Sequence, residues 1–181
     1  MSTFFIIHGV GGTPEENWFP WLKSELEKIG HKVIIPQFPT PENQTLKNWM
    51  KIYESYQKDF TEPPILIGHS LGVPFILDIL EKYPAKSAYL VSGFVDKADN
   101  KFDSGMKTFA QKLFDWPTIK TNCKTFAIFH SDNDPYIKLE KGQEVAKLLD
   151  TPLTFIKNAG HFNETSGYTK FPLLLNTILK N

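Results

Sequence analysis

A serine lies between two glycines at residues 68–72, which read Gly-His-Ser-Leu-Gly and match the spacing G-x-S-x-G. The apolar run 65–67 precedes this motif and a helical pattern follows it at 75–80, so the sequence predicts a sharp turn from a strand into a helix. Both glycines are needed because a side chain at either position would collide with the neighbouring strand and helix. Such a turn exposes the hydroxyl of Ser70 at the carboxyl edge of a sheet, and we therefore predict that Ser70 is a nucleophile.

A nucleophilic serine needs a general base, and histidine is the usual one. Two histidines, His130 and His161, follow Ser70 in the sequence. His161 stands just past the last apolar run, where a loop can bring an imidazole back over the edge of a sheet. His130 ends an apolar run, so a structural role is predicted for it, and His161 is predicted to be the base.

The base in turn needs an acid that orients it, and the chain order that goes with this type of turn is serine, acid, histidine. The loop 131–136, Ser-Asp-Asn-Asp-Pro-Tyr, offers Asp132 and Asp134. Proline holds the residue before it in an extended conformation, so the carboxylate of Asp134 is the better fixed of the two. We predict Asp134 as the acid and keep Asp132 as the alternative. Asp132 is otherwise expected to accept backbone N–H groups within its own turn.

Backbone N–H groups can stabilise the oxyanion that forms when a serine attacks a carbonyl. The N–H of Leu71, next to the nucleophile, is one predicted donor. The second is expected in the loop 8–13, His-Gly-Val-Gly-Gly-Thr, where the glycines let the main chain approach a substrate. We assign it to Val10, with Gly9 as the alternative. Because this loop lacks the third glycine of the G-x-G-x-x-G fingerprint, no nucleotide cofactor is predicted.

The polar residues near these positions do not have the spacing of a metal site. Residues 132–134, Asp-Asn-Asp, begin like a calcium-binding loop, but Tyr136 stands at its fifth position and Ile137 where a glycine is required. His8 and His69 flank the predicted site without a carboxylate at metal-ligand spacing, so structural roles are predicted for both. We therefore expect neither a metal nor another cofactor.

The elements that must position these residues are indicated by six short apolar runs. Each run is too short for a helix and lacks polar alternation, which is typical of strands buried on both faces of a parallel sheet. Amphipathic helical patterns lie between most of them. This alternation predicts an α/β fold, with a six-stranded parallel sheet covered by helices on both faces in three layers. The runs are 4–7, 33–35, 65–67, 88–91, 126–129 and 153–156.

The chain of 181 residues has the length of one domain, and we expect 1–181 to form a single unit. Segment 93–122 departs from the alternation because it carries no strand run. It contains five aromatic residues among many lysines and aspartates, which favours a lid or a pocket wall. The alternative is a surface loop with one helix near 104–115. The five aromatic residues are Phe94, Phe102, Phe109, Phe114 and Trp116.

Charge and hydropathy exclude several classes of partner. The chain has 20 basic and 20 acidic side chains with no run of lysine or arginine, so nucleic acid is not an expected partner. No stretch approaches the ~20 apolar residues that cross a bilayer. The first apolar run is too short for a signal peptide and has no basic residues before it. No membrane association and a cytoplasmic location are therefore expected.

Several motifs together resemble one family from end to end. They occupy 18–28, 67–70, 116–123, 134–135 and 160–162. On these residues the chain resembles the small serine hydrolases that include retinoblastoma-binding protein 9 and bacterial relatives, within the α/β-hydrolase superfamily. The resemblance implies a minimal α/β-hydrolase fold that lacks the first two strands of larger members. It also implies a catalytic triad of Ser70, Asp134 and His161.

One feature of the family's mammalian member is missing. Its name comes from an L-x-C-x-E peptide that binds a pocket protein, and no L-x-C-x-E occurs in this chain. A retinoblastoma-type pocket protein is therefore not an expected partner, and the oligomeric state is left open.

The residues and the resemblance lead to the same expected activity. We predict a carboxylesterase-like serine hydrolase that cleaves a small acyl ester, thioester or amide through an acyl-enzyme intermediate. The alternative is a binding protein with the shape of a hydrolase and little or no turnover.

Overall fold

The computed structural model describes residues 1–180 and contains one six-stranded parallel sheet. The strand order is β2-β1-β3-β4-β5-β6. Every neighbouring pair is parallel. Each apolar run identified in the sequence coincides with a strand, which confirms the predicted sheet. The strands are β1 (Thr3–Ile7), β2 (Lys32–Ile34), β3 (Ile65–His69), β4 (Ser87–Val91), β5 (Phe126–His130) and β6 (Leu153–Phe155).

Seven α-helices cover the sheet within residues 1–180. They are α1 (Phe19–Lys28), α2 (Leu46–Ser55), α3 (Gly72–Leu80), α4 (Asp103–Ala110), α5 (Trp116–Asn122), α6 (Leu139–Leu148) and α7 (Pro172–Lys180). The apolar residues of α1 and α7 pack on one face of the sheet, and those of α2 to α6 pack on the other. This arrangement confirms the predicted three layers. None of the helices in the described residues is long and apolar enough to cross a membrane.

Strand β1 shows why the apolar runs carry no polar alternation. Phe5 and Ile7 face the core under α2 and α3, whereas Phe4 and Ile6 face the core under α1 and α7. All four side chains are buried, because successive residues of a strand point to opposite faces and both faces are covered.

Segment 93–122 contains two helices, α4 and α5, and no strand. Its aromatic residues mainly attach it to the core. Phe94 and Phe109 are fully buried, and the Phe109 ring lies 5.0 Å from that of Trp49. Lys112 forms ion pairs with Glu81 and, at 2.6 Å, with the buried carboxylate of Asp78 on α3. The segment is therefore held by both apolar and ionic contacts, and the alternative with a single helix is wrong.

Candidate active site

Ser70 occupies the turn between β3 and α3 with a left-handed backbone, φ 55°. Its N–H donates to Val91 O at 2.9 Å, which ties the turn to the neighbouring strand β4. A Cβ on Gly68 would lie 2.7 Å from Gly72 O, and one on Gly72 would lie 2.5 Å from Ile7 O. Both contacts are with backbone that cannot move aside, so only glycine fits at either position. The strained conformation of a non-glycine residue here is typical of a site where a side chain is held for function.

Asp134 and His161 form a hydrogen-bonded pair. The ring Nδ1–H of His161 donates to Asp134 Oδ2 at 2.7 Å, and the Asp134 side chain has no exposed surface. The other carboxylate oxygen, Oδ1, accepts the N–H groups of Tyr136 at 2.9 Å and Ile137 at 3.0 Å. Burial alone would raise the pKa of Asp134, but the hydrogen bond and charge of His161 and these two amides hold it below its usual range. The carboxylate is therefore charged and fixes the tautomer that leaves His161 Nε2 free to accept a proton.

Asp132 does not occupy the place predicted for it. Its Oδ1 accepts the N–H of Asn158 at 2.8 Å, so its backbone partner lies in the loop after β6 and not within its own turn. The prediction of a purely local hydrogen bond was wrong, because the fold brings the loop after β6 against the loop after β5. Among the two candidate acids, Asp134 is the one that contacts His161.

Ser70 and His161 line one pocket of about 330 Å³ at the carboxyl edge of the sheet. One wall is apolar and consists of Phe102, Met106, Tyr136 and Ile137. Another part of the wall is polar and includes Glu16, Asn17, Asn163, Glu164 and Thr165. Of the five aromatic residues noted in segment 93–122, only Phe102 lines the pocket. The pocket therefore combines an apolar side with an acidic one.

The loop after β1 lies beside the nucleophile. A Cβ on Gly9 would lie 3.0 Å from the Cβ of Ser70, which is a tight contact, so the loop approaches the nucleophile closely here. Gly11 N–H donates to Thr40 Oγ1 and Gly12 N–H donates to Gly9 O. The N–H of Val10, which lies between Gly9 and Gly11, donates to no protein acceptor in residues 1–180. Val10 itself lines the pocket.

Leu71, the other predicted oxyanion donor, follows Ser70 directly and precedes α3. Its side chain is fully buried and belongs to the core on the α3 face. Leu71 does not line the pocket, so its N–H as an oxyanion donor stays a prediction from its position next to Ser70.

Three further histidines are buried around the site. His8 Nε2 accepts the N–H of Phe38 at 3.0 Å, so its proton is on Nδ1, which donates to Gly9 O at 2.8 Å. Burial lowers the pKa of His8 and of His130, and it lowers the pKa of His69 to about 3. His130 Nε2–H donates to Ile137 O at 2.9 Å. These contacts give each histidine a packing or hydrogen-bonding role. Within residues 1–180, no group of three or more His, Cys, Asp or Glu side chains has the arrangement of a metal site.

The sequence did not single out the polar wall of the pocket. Glu16 and Asn17 lie in the long connection after β1, and Asn163, Glu164 and Thr165 follow the base directly. Glu16 is half-buried, and burial together with the nearby charge of Glu164 raises its pKa, although hydrogen bonds from Thr13 and Asn17 oppose this. The sequence indicated these residues only by their position. Both stretches follow the carboxyl ends of parallel strands, where ligand-binding sites form.

Comparisons with known proteins place the chain in a family. The family model described as serine hydrolase matches residues 4–180. The Bacillus subtilis protein YdeN is 30% identical over 178 residues, which cover 96% of this chain and 93% of that protein. The rat serine hydrolase RBBP9 is 28% identical over 159 residues, 87% of this chain and 84% of that protein.

A solved structure is similar over nearly the whole fold. The crystal structure of the ydeN gene product from B. subtilis has a TM-score of 0.91 and 29% identity, covering 99% of this chain and 98% of that one. The family match extends over almost every described residue, and the predicted family is confirmed. The chain belongs to the serine hydrolase family.

Proposed function

We propose that the protein hydrolyses a small acyl ester, thioester or amide through an acyl-enzyme intermediate, with Ser70, His161 and Asp134 as a catalytic triad. One observation carries this proposal: His161, joined to Asp134 at 2.7 Å, lines the same pocket as a serine held on a strained strand-to-helix turn. This mechanism requires a serine and an imidazole in one site and an acid that orients the imidazole.

In the first half of the reaction, Ser70 Oγ attacks the carbonyl carbon and its proton moves to His161 Nε2. The N–H groups of Val10 and Leu71 are proposed to donate to the oxyanion. His161 then gives the proton to the leaving oxygen, sulfur or nitrogen as the bond to the carbonyl carbon breaks. The acyl group remains as an ester on Ser70 Oγ.

In the second half, a water molecule attacks the acyl ester while His161 takes one of its protons. Collapse of the second tetrahedral intermediate releases the carboxylic acid, and the proton returns to Ser70 Oγ. Asp134 stays charged throughout, because it holds the imidazole in one tautomer and stabilises the imidazolium form.

The shape of the pocket supports a small substrate with an apolar part. Phe102 and Met106 reach the pocket from segment 93–122, and this segment is proposed to act as a wall of the acyl or leaving-group site. A panel of acyl esters, thioesters and aminoacyl amides with matched acyl groups would rank the three bond types by kcat/KM.

A fluorophosphonate probe tests the nucleophile directly. We expect one probe adduct on the folded protein, and peptide mapping by mass spectrometry should place it on Ser70. Ser70→Ala should remain unlabelled, and Ser24→Ala, an exposed serine on α1, should be labelled like the wild type. A folded wild-type protein that is neither labelled nor active on the panel would contradict the proposal and favour the binding protein.

A further inference from the structure

Two loops near the site are joined residue by residue. We call residues 131–134 the acid loop and residues 158–162 the base loop. Each of the first three residues of the acid loop uses a side-chain oxygen to accept a different backbone N–H of the base loop. The pairs are Ser131 Oγ with Ala159 N–H at 2.8 Å, Asp132 Oδ1 with Asn158 N–H at 2.8 Å, and Asn133 Oδ1 with Gly160 N–H at 2.7 Å.

The next residue of each loop continues the series. Asp134, the fourth residue of the acid loop, accepts the ring proton of His161. Contact between the acid and the base is therefore the last of four consecutive connections, and the first three fix the backbone from which the imidazole extends.

The backbone of the base loop has an unusual conformation, and its one costly residue, Phe162, lies next to His161. Asn158 has φ 57°, Gly160 has φ 57° and Phe162 has φ 51°, so every second residue is left-handed. Glycine adopts this conformation freely and asparagine tolerates it, but Phe162 adopts it only where the surrounding structure imposes it. A free loop of this sequence would relax towards right-handed or extended backbone, and His161 would move with it.

We propose that Ser131, Asp132 and Asn133 are positioning residues that hold His161 in its productive orientation through the backbone of the base loop. This inference rests on the proposed function, in which His161 is the general base. The three residues touch no substrate atom in this scheme, and Ser131 and Asn133 are further linked to each other by a hydrogen bond of 2.8 Å.

Two of the three are suitable for substitution. Asp132 and Asn133 are exposed, whereas Ser131 is fully buried, so changes at the first two leave the core intact. Asp132→Ala/Asn133→Ala removes both acceptor oxygens and one negative charge. Asp132→Asn removes the same charge but retains an acceptor oxygen at both positions, which makes it the matched control.

Steady-state kinetics on an ester substrate provide the first readout. The double alanine variant should lose at least about tenfold in kcat with little change in KM, because a small displacement of a catalytic group slows the chemical step. Asp132→Asn should stay within about threefold of the wild type, since its acceptor oxygens remain. Equal kcat values for the two variants, at wild-type level or below it, would overturn the proposal.

Nuclear magnetic resonance provides a readout that does not depend on turnover. In the wild type and in Asp132→Asn, the ring Nδ1–H of His161 should give a low-field signal, and the Gly160 amide should exchange slowly. In the double alanine variant that signal should broaden and the Gly160 amide should exchange at least about tenfold faster, because its acceptor is gone.

The two readouts separate the two proposals. If the wild type has no hydrolase activity, the proposed function is refuted. If the His161 signal is nevertheless lost in the double alanine variant, the positioning role still stands. An unchanged His161 signal and unchanged kcat in an active enzyme would refute the positioning role alone.

Discussion

The Nε2–H of His69 donates to the backbone carbonyl oxygen of His161 at 2.7 Å. The residue before the nucleophile is thus bonded to the residue proposed as base, across 92 positions of the chain, and the two rings lie 4.7 Å apart. The base loop is therefore held from two sides, by the acid loop and by the turn that carries Ser70. Protonation of His69 is opposed by burial first and by the charge of His161 second, which lower its pKa to about 3.

This shift predicts a dependence of stability on pH. The pKa of His69 is ~6.5 in the unfolded chain and lower in the folded protein. At a pH between these two values, His69 takes up a proton only when the protein unfolds, so the free energy of unfolding decreases as the pH falls. His69→Gln lacks this titration. The stability difference between wild type and variant should change by about 1.4 kcal/mol in favour of the variant for each pH unit below ~6.5. Urea unfolding of both proteins at pH 7.5, 5.5 and 4.5 measures this difference. A difference that is the same at all three pH values would contradict the prediction.

Ser70→Ala should retain the fold and lower ester turnover by about 10³-fold or more, because the nucleophile is removed while the pocket remains. Circular dichroism and steady-state rates measure the two effects. Ser24→Ala on the exposed face of α1 serves as the control and should be unchanged in both. Near-wild-type turnover in Ser70→Ala would contradict the triad.

The two aspartates of the acid loop should respond differently to the same change. Asp134→Asn should lower kcat by at least ~10²-fold, because an amide at this position favours the wrong imidazole tautomer. Asp132→Asn should stay within about threefold of the wild type, since its partner is a backbone N–H that an amide oxygen can also accept. Rates measured side by side test the pair, and reversed losses would make Asp132 the acid.

Lys112→Met should destabilise the protein more at alkaline than at acidic pH. Burial raises the pKa of Asp78 to about 7, although the hydrogen bond and charge of Lys112 oppose the rise. Without Lys112 the pKa of Asp78 rises further. Between pH 7 and 8.5 the unfolded variant then releases a proton that the folded variant holds, so the variant loses stability that the wild type keeps. We expect the loss in unfolding free energy to be about 2 kcal/mol greater at pH 8.5 than at pH 5.5. Lys107→Met, an exposed lysine on α4, should show no such dependence.

Gly160→Ala should be more destabilising than Gly167→Ala. Both glycines are left-handed, with φ 57° and 85°, so both variants carry the cost of a side chain in that region, about 1 kcal/mol. A Cβ on Gly160 would also lie 2.2 Å from Ser166 Oγ, whereas one on Gly167 meets no atom within 4 Å. The steric overlap should add at least about 1 kcal/mol and reduce turnover, because the neighbouring residue is His161. Equal free energies of unfolding for the two variants would contradict this prediction.

The sequence was sufficient where a local pattern determines the structure. The run 4–7 predicts a strand buried on both faces because each of its residues is apolar, and the motif 68–72 predicts the turn because its glycines are sterically required. Asp134 could be preferred over Asp132 from the proline that follows it. The fold and the family were therefore accessible from sequence, as were Ser70 and His161 among the pocket residues and the Asp134–His161 pair.

Contacts between distant segments were not accessible in this way. The bond from Asn158 to Asp132 spans 26 positions and depends on how two loops meet above the sheet. The aromatic residues of segment 93–122 suggested a pocket wall, yet Phe94 and Phe109 fill the core instead, because α4 packs against α3. Periodicity identifies an apolar face but not which neighbour covers it.

The order of the strands explains where the pocket lies. After β1 the chain passes through α1 to β2 on one side, and after β3 it passes through α3 to β4 on the other. Because α1 and α3 cover opposite faces, the connections that leave β1 and β3 diverge, and a crevice opens between them at a topological switch point. The loop with Val10 and the turn with Ser70 border this crevice. A binding cleft at this place is therefore a property of the winding of the chain. Substitutions in the walls of the cleft can alter its selectivity, because the cleft itself does not depend on them.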